Sequence, residues 1–331
     1  MKKSKTLILE INLNDNNLFV SLHNPNPVIW EYQKIALSEK NIDSDDITTK
    51  CNDMIDALNR YATSTNKKKE ALNEMKFLGS QLCNHLIPEK IQQRLVDNDV
   101  DGRSTYLILS LDDNLVHIPW ELLLINNKFL CEIFRMGRIV KTRQEVIDTD
   151  DIPQKDTYDM FIVANPTDDL ECAEKEGLNI IQDIEENNRR LGHRTVNCDY
   201  ENRVSPESFK KKIGGYDILH FSGHAYFDAD HPEKSGWRLT SGNLTAQDIR
   251  DSSTKMPLLV ISNACQSART DQWHSDHVKQ SAYGMSNAFI LNGTKHYIGS
   301  LWDVGDKPGF AFGTEFYNSM FKFFFLDRIK A

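Results

Sequence analysis

The sequence predicts an α/β protein with a mostly parallel sheet flanked by helices, and three observations lead to this class. Hydrophobic residues make up 40% of the chain and charged residues 26%, which is the composition of a globular protein with a core. Short apolar runs bounded by small residues, such as YDILHFS and PLLVISN, are typical of buried parallel strands. Strands also alternate with helices along the second half, which implies parallel pairing with right-handed crossovers.

The first half of the chain is predicted to be a sheet with helices. Alternating apolar residues indicate strands, and apolar residues at helical spacing indicate helices. In chain order these patterns predict a hairpin over residues 7–22 with its turn at 14–17, helices over 46–62 and 72–86, a short helix opened by Pro88, and a strand over 105–111. This half carries no evident chemistry.

A polar, acidic stretch, EVIDTDDIPQKDTYD, separates the halves, and Pro153 within it favours a domain boundary near residues 148–156. We therefore divide the chain into 1–150 and 151–331. In the second part the patterns predict a strand MFIVAN, a helix over 173–191, a strand RTVNCDY, a helix opened by Ser205 and Pro206, the strands YDILHFS and PLLVISN, a helix over 281–291, a strand KHYIGS and a closing helix from about 308.

Cys265 and His224 are the candidate catalytic residues, because each stands where one of the buried strands ends. Neighbouring parallel strands lie about 4.8 Å apart, so if these two strands pair side by side, the thiol and the imidazole leave the same sheet edge. A cysteine offers little thiolate at neutral pH, and an imidazole that takes its proton raises its reactivity. The placement predicts a cysteine nucleophile with a histidine base.

Structural roles compete with this interpretation. Cysteine is usually a small core residue, but the small residues around Cys265 and the matching His224 favour catalysis. His220 lies within its strand and better fits a core histidine, and a strand does not offer the helical spacing of a His220–His224 metal pair. His274 and His277 lie in a polar stretch that we interpret as a solvated loop. We therefore expect neither a metal nor a cofactor.

Charge and cysteine content limit the partners and the compartment. With 39 basic and 48 acidic residues the net charge is -9, which disfavours nucleic acid as the main partner, and we interpret Lys67–Lys69 as a solvated helix start. Six cysteines without a CxxC pair or a secretory signal indicate a reducing compartment, and we expect the cytoplasm. The apolar run Phe323–Leu326 is far shorter than the about 20 residues that cross a bilayer, so no membrane contact is expected.

The chain contains five motifs in a fixed order, LILSLDDNLVHIPWELL, HFSGHA, GWRLTSGNLTAQDI, LLVISNACQSA and GTKHYIGSLWDV. In this order and spacing they resemble the CHAT family of caspase-like cysteine peptidases, which are relatives of separase. The resemblance covers most of the chain from about residue 70 onward. It implies a pseudo-caspase-like first half with a structural or regulatory role, and a caspase-like catalytic half in which Cys265 attacks a peptide bond and His224 is base and then acid.

The resemblance also implies the rest of the site. The backbone N–H groups of Cys265 and Ala225 would hold the oxyanion, although many relatives have Gly at the second position. Asn263, two residues before the cysteine, would line the pocket for the side chain that precedes the cut, and the segment SLWDVGDK offers Asp303 and Asp306 as acidic residues of that pocket. A carboxylate favours guanidinium, so the hypothesis is cleavage after Arg or Lys. The alternative role for Asp306 is that of a helix cap.

The polar stretch 266–280 is expected to form a mobile loop beside the nucleophile, and Arg269 or Lys279 within it would suit a basic cleavage preference. Because an unregulated protease would harm the cytoplasm, we expect an activating protein partner or assembly. By resemblance alone, the setting is defence or regulated cell death, with a protein target cut at few sites. Two alternatives remain open: a catalytically silent CHAT scaffold that binds partners, and a hydrolase of small amides or esters.

Overall fold

A computed structural model describes residues 5–26, 31–64, 66–97, 105–141, 155–192, 195–228, 231–265, 284–302 and 304–326. These residues form two compact units, one up to residue 141 and one from residue 155. The predicted division between residues 150 and 151 lies outside the described residues, as do the predicted loop over 266–280 with Arg269 and Lys279, and the histidines 274 and 277.

The first unit begins with three antiparallel strands, which are followed by three helices. In chain order it contains β1 (Lys5–Asn14), β2 (Asn17–Asn26), β3 (Glu31–Asn41), α1 (Ser44–Thr63), α2 (Lys68–Leu86), α3 (Glu89–Val96), β4 (Thr105–Asp112), β5 (Leu124–Ile125), β6 (Lys128–Phe129), α4 (Leu130–Ile133) and β7 (Arg135–Lys141). The predicted hairpin, helices and central strand are present. The position of Pro88 differs slightly from the prediction that it opens the short helix. It precedes α3, which begins at Glu89, and does not lie within the first turn.

The sheet of the first unit has the order β3-β2-β1-β4-β7. Strand β1 pairs antiparallel with β2 and parallel with β4, and β7 pairs parallel with β4. Alternate residues of β1 are fully buried, namely Leu7, Leu9 and Ile11, as the apolar alternation in the sequence requires. The strands β3 and β7 were not predicted, because their sequences EYQKIALSEKN and RMGRIVK mix charged and apolar residues without clean alternation.

The second unit alternates strands and helices around a hairpin-like insertion. It contains β8 (Tyr158–Ala164), α5 (Glu171–Leu191), β9 (Val196–Glu201), α6 (Pro206–Lys212), β10 (Ile218–Ser222), β11 (Ala225–Tyr226), β12 (Gly236–Leu239), β13 (Gly242–Thr245), α7 (Ala246–Arg250), β14 (Leu259–Asn263), α8 (Met285–Leu291), β15 (His296–Gly299) and α9 (Asp306–Leu326). Its main sheet has the order β15-β14-β10-β8-β9, with every neighbouring pair parallel. The predicted α/β class and parallel pairing are confirmed.

Both faces of this parallel sheet are covered, and its strands are therefore apolar on both sides. On one face Phe161, Leu219 and Val260 belong to a buried cluster that includes residues of α6, α7 and α8. On the other face Ile162 and Ile261 pack with residues of α5 and α9. The two faces alternate along each strand, as the pleat of a strand dictates. The candidate catalytic residues His224 and Cys265 follow the ends of two of these strands.

A three-stranded antiparallel sheet, β11-β12-β13, follows β10 directly. Trp237 on β12 is fully buried and stacks on Phe221 of β10, with ring centroids 4.2 Å apart and an angle of 4° between the planes. This contact fixes the small sheet against the main one, and the chain between them is the turn that carries His224. None of the helices in the described stretches is long and apolar enough to cross a membrane.

Candidate active site

The strands that precede the two predicted catalytic residues are neighbours in the sheet. Strands β10 and β14 pair parallel, and Ser222 lies opposite Asn263 at the end of the register. His224 and Cys265 each stand two residues beyond this last pair. Because neighbouring strands lie about 4.8 Å apart, both residues leave the same edge of the sheet at matching positions.

The turn that carries His224 depends on Gly223. A Cβ atom at Gly223 would lie 2.9 Å from the ring of Phe221 and 3.1 Å from Cδ of Pro166, so a side chain there would require the ring or the turn to shift. The carbonyl of His224 accepts a hydrogen bond of 2.9 Å from the N–H of Arg238, at the start of the β11–β12 pairing. The backbone of His224 is thus held between β10 and the small antiparallel sheet.

The imidazole of His224 contacts a carboxylate, that of Asp169, which was not predicted as a site residue. Nε2 of His224 lies 2.9 Å from Oδ2 of Asp169, and the side chains are 36% and 58% exposed. A carboxylate only accepts hydrogen bonds, so Nε2 is the donor and Nδ1 is left as the acceptor nitrogen of a neutral ring. A hydrogen bond from Thr167, together with the bond from His224, holds the pKa of the Asp169 carboxyl below its usual range.

A tight loop after β8 positions Asp169. Asn165 is buried, has a φ of 54°, and accepts hydrogen bonds at Oδ1 from the N–H groups of Asp169 (3.0 Å) and Leu170 (2.8 Å). Its own N–H donates to the carbonyl of Ser222 at 2.8 Å, which ties the loop to the end of β10. Asn tolerates a positive φ better than most residues because its short polar side chain bonds locally. The signal in the sequence was the pair of aspartates in NPTDDL, directly after the strand MFIVAN.

The thiol of Cys265 is half-buried and lies near the backbone that precedes α9. Sγ donates a weak hydrogen bond of 3.5 Å to the carbonyl of Val304. Burial raises the pKa of Cys51, Cys83 and Cys198 to about 12, so these three thiols stay protonated at neutral pH. Cys51 and Cys83 are buried and fit the role of a small core residue that is usual for cysteine, and Cys198 is partly buried.

Ala225, a predicted oxyanion donor, lies at the start of β11 and pairs with Trp237. Since the Arg238 N–H donates to the carbonyl of His224, the Ala225–Trp237 pair is of the non-hydrogen-bonded type. In such a pair the backbone N–H of each residue points away from the partner strand. The N–H of Ala225 is therefore directed away from β12, and its role as an oxyanion donor stays a prediction.

Of the predicted pocket residues, Asn263 is bonded within the fold and Asp306 is exposed to solvent. Asn263 donates from Nδ2 to the carboxylate of Glu176 (2.8 Å to each oxygen) and to the carbonyl of Gly309 (2.7 Å). Asp306 is exposed and is the first residue of α9, while Asp303 lies outside the described residues. Glu176 was not predicted; its signal is a charged residue within the apolar face that Ala173, Ile180 and Ile184 form on α5.

His220 is a core histidine, as its position within a buried strand predicted. It is fully buried in β10, with Nδ1 3.2 Å from the hydroxyl of Tyr317 and Nε2 3.1 Å from Glu176. Within the described residues no group of three or more His, Cys, Asp or Glu side chains converges as metal ligands do.

Comparisons with known proteins identify the family. Residues 76–324 match the model of the CHAT domain. No curated protein matches the chain. Among solved structures, separase from Saccharomyces cerevisiae, in complex with securin, matches 95% of this chain at 12% identity with a TM-score of 0.54. The Arg-specific cysteine proteinase gingipain R matches 78% of this chain at 12% identity with a TM-score of 0.47.

This chain spans 27% of the separase chain and 66% of the gingipain chain. The likeness to separase confirms the predicted caspase-like α/β fold, and the family model, which spans most of the sequence, confirms the predicted resemblance. The chain belongs to the CHAT domain family.

Proposed function

We propose that this protein is a cysteine endopeptidase that cleaves a protein target at few sites, with Cys265 as nucleophile and His224 as base. The observation that carries the proposal is the register of β10 and β14: both residues stand two positions past the pair Ser222–Asn263 at one sheet edge. A thiol and an imidazole that come within hydrogen-bond reach form the nucleophile–base pair of a cysteine hydrolase, and the matching positions of Cys265 and His224 support such a pair here.

The reaction begins when the thiol proton of Cys265 passes to Nδ1 of His224. The thiolate then attacks the carbonyl carbon of the scissile peptide bond, and the oxygen that gains negative charge is held by the N–H groups of Cys265 and Ala225. The C–N bond breaks as the imidazolium returns the proton to the leaving amine, which leaves a thioester. Water, with its proton taken by His224, hydrolyses the thioester and restores the thiol.

Asp169 supports this sequence of proton transfers. Its carboxylate lies 2.9 Å from Nε2 of His224, so it keeps the proton on that nitrogen and leaves Nδ1 to accept the proton of the thiol. When His224 becomes an imidazolium, the negative charge of Asp169 stabilises it. The lowered pKa of the Asp169 carboxyl keeps that charge in place at neutral pH.

The proposed specificity is cleavage after Arg or Lys. Asp306 is an exposed carboxylate at the start of α9, two residues after Val304, whose carbonyl contacts the thiol of Cys265. A carboxylate in a pocket beside the nucleophile would favour a guanidinium through paired, charge-assisted hydrogen bonds. Asp303 and Asn263 complete the proposed pocket by resemblance to the family.

Regulation and setting are proposed on the family resemblance alone. The proposal includes an activating protein partner or assembly, a cytoplasmic location and a role in defence or cell death. The separase structure contains securin, a protein partner of that enzyme.

The experiment that tests the proposed function compares cleaved protein termini in cells with the wild type and with Cys265→Ala. We expect a few new termini, mainly after Arg or Lys, that depend on Cys265. In vitro, an acyloxymethyl ketone probe should label the wild type and Cys131→Ala but not Cys265→Ala or His224→Ala. Cys131 is the matched control because it is an exposed thiol in the first unit.

Two outcomes would contradict the proposal. Probe labelling that persists without His224, together with no cleaved termini, would favour a silent scaffold. Turnover of small amides or esters without any cut protein would favour a small-molecule hydrolase.

A further inference from the structure

Glu176 is a carboxylate buried within the second unit. It lies on α5 and is 1% exposed, on the helix face that packs on the parallel sheet. The next residue, Gly177, lets this face approach the sheet, since a Cβ atom there would lie 2.8 Å from Cβ of Ala164. Burying a carboxylate costs free energy unless donors surround it, so the contacts of Glu176 indicate what it does.

The contacts join the two strands of the proposed catalytic pair. Oε2 of Glu176 accepts a hydrogen bond of 2.9 Å from the hydroxyl of Ser222, at the end of β10. Both oxygens accept from Nδ2 of Asn263, at 2.8 Å each, at the end of β14. Ser222 and Asn263 are the last residues in register between these strands. One carboxylate therefore ties the strand ends that His224 and Cys265 follow.

The same carboxylate is enclosed by α9. A Cβ atom at Gly313 would lie 2.0 Å from Oε1 of Glu176, so this position has room only for glycine. Nδ2 of Asn263 also donates to the carbonyl of Gly309, one turn earlier on α9, at 2.7 Å. The helix that begins with Asp306 is thus fixed to the strand that ends before Cys265.

We infer that Glu176 is a positioning residue, which holds the ends of β10 and β14 in the register that sets the imidazole of His224 opposite the thiol of Cys265. This inference rests on the proposed peptidase function. A purely structural role would require only that the space be filled, which apolar residues do at least as well as a buried ionic group. Glu176 contacts Ser222 and His220 on β10 and Asn263 on β14, so its contacts span both strands of the proposed pair, and this pattern serves alignment.

The test is Glu176→Gln, which keeps the shape but turns an amide donor toward the Asn263 amide or the Ser222 hydroxyl. A displacement of about 1 Å in a catalytic pair can cost about 100-fold in rate. We expect kcat to fall about 30- to 100-fold with KM changed less than about threefold. The rate of Cys265 alkylation by iodoacetamide, followed on the Cys265 peptide by mass spectrometry, should reach its midpoint at a higher pH than in the wild type, because the imidazole takes the thiol proton less well.

Asp217→Asn is the matched control. Asp217 is a carboxylate that is 4% exposed, next to the opposite end of β10, where it accepts from Nζ of Lys155 (2.6 Å) and the N–H of Asp159 (3.0 Å). The Asp217→Asn variant should lower the unfolding temperature about as much as Glu176→Gln does, while its kcat stays within about twofold of the wild-type value. Ser222→Ala is the second variant if Glu176→Gln fails to fold, and it should lower kcat about 3- to 10-fold.

The outcomes separate the two proposals. If cells with the wild type show no more cleaved termini than cells with Cys265→Ala, the peptidase function fails, and the alkylation profile alone then decides the role of Glu176. If the wild type is active, the role of Glu176 is overturned when Glu176→Gln, or Ser222→Ala in its place, leaves kcat and the alkylation midpoint unchanged. It is also overturned when Asp217→Asn lowers kcat to the same degree.

Discussion

Nε2 of His224 lies 2.9 Å from Oδ2 of Asp169, so the imidazole has a carboxylate on one side. Asp169 follows β8, His224 follows β10 and Cys265 follows β14, and these strands are consecutive neighbours in the parallel sheet. The carboxylate, the imidazole and the thiol therefore leave the same edge of the sheet, with the imidazole between the other two. In the proposed mechanism the imidazole takes the thiol proton and the carboxylate stabilises the resulting imidazolium. A base that is itself oriented by a third group is typical of activated nucleophiles.

The first prediction concerns Asp169. In Asp169→Asn the amide can donate to Nε2 and so favours the wrong tautomer, and the imidazolium loses its counter-charge. General base catalysis contributes about 10²- to 10⁴-fold, so we expect kcat to fall at least about tenfold with little change in KM. Steady-state peptide cleavage measures this, and thermal unfolding should change little because Asp169 is 58% exposed.

Asp168→Asn is the control for this variant. Asp168 is the neighbouring residue, also exposed, with a φ of 62° that Asn tolerates, and its carboxylate faces Arg203 at 3.4 Å. It should keep kcat within about twofold. A gain of activity in Asp169→Asn would mean that Asp169 restrains His224 instead of assisting it.

The second prediction concerns Gly223, the residue between β10 and His224. A Cβ atom there would lie 2.9 Å from the Phe221 ring and 3.1 Å from Pro166, so Gly223→Ala must shift the turn or the ring. Overpacking of this kind costs about 1–3 kcal/mol. We expect a lower unfolding temperature and at least a tenfold loss of probe labelling at Cys265. Gly215→Ala, where no atom lies within 4 Å of the added Cβ, should change neither; equal effects of the two variants would contradict the role of the turn.

The sequence predicts the part of the site that depends on strand order. Buried parallel strands have continuous apolar sequences, and their carboxyl ends share one edge, so His224 and Cys265 could be placed at one edge without coordinates. The turn residues Ser205 and Pro206 also marked the start of α6 correctly, because Ser205 accepts a hydrogen bond from the Ser208 N–H and proline fits the first turn.

The rest of the site depends on side chains that meet only in the folded chain. Glu176 lies 46 residues before Ser222 and 87 before Asn263, and nothing local in the sequence pairs them. The small sheet β11–β13 was missed because its strands have at most 4 residues and are stabilised by the stacking of Trp237 on Phe221. Short strands give too few residues for alternation to be detected.

The third prediction concerns pH and the buried thiols. Because burial raises the pKa of Cys51, Cys83 and Cys198 to about 12, their neutral forms stabilise the fold fully below about pH 8.5, the pKa of an exposed thiol. This stabilisation is lost as the pH rises toward 12, since the unfolded chain then releases protons that the folded chain retains. We expect the unfolding temperature to fall between pH 9 and pH 11.

Alkylation by iodoacetamide at pH 8, resolved by peptide, tests the same assignment. Cys51 and Cys83, which are buried, should react at least about 100-fold more slowly than exposed Cys131, because the fraction of thiolate falls about tenfold for each unit of pKa. Rapid labelling of Cys51 or Cys83 in the folded protein would contradict their burial.

The last prediction separates the two roles of Asp306. If it binds the basic side chain before the cut, Asp306→Asn removes a charge-assisted hydrogen bond worth about 1.5–3 kcal/mol, or about 10- to 100-fold in kcat/KM. This loss should appear with Arg peptides and not with matched Leu peptides. If Asp306 only stabilises the start of α9, the effect is about 0.3–1 kcal/mol on folding and is the same for both peptides. Glu89→Gln is the control for the loss of folding stability, because it removes a charge from the first residue of α3, an equivalent helix position in the first unit.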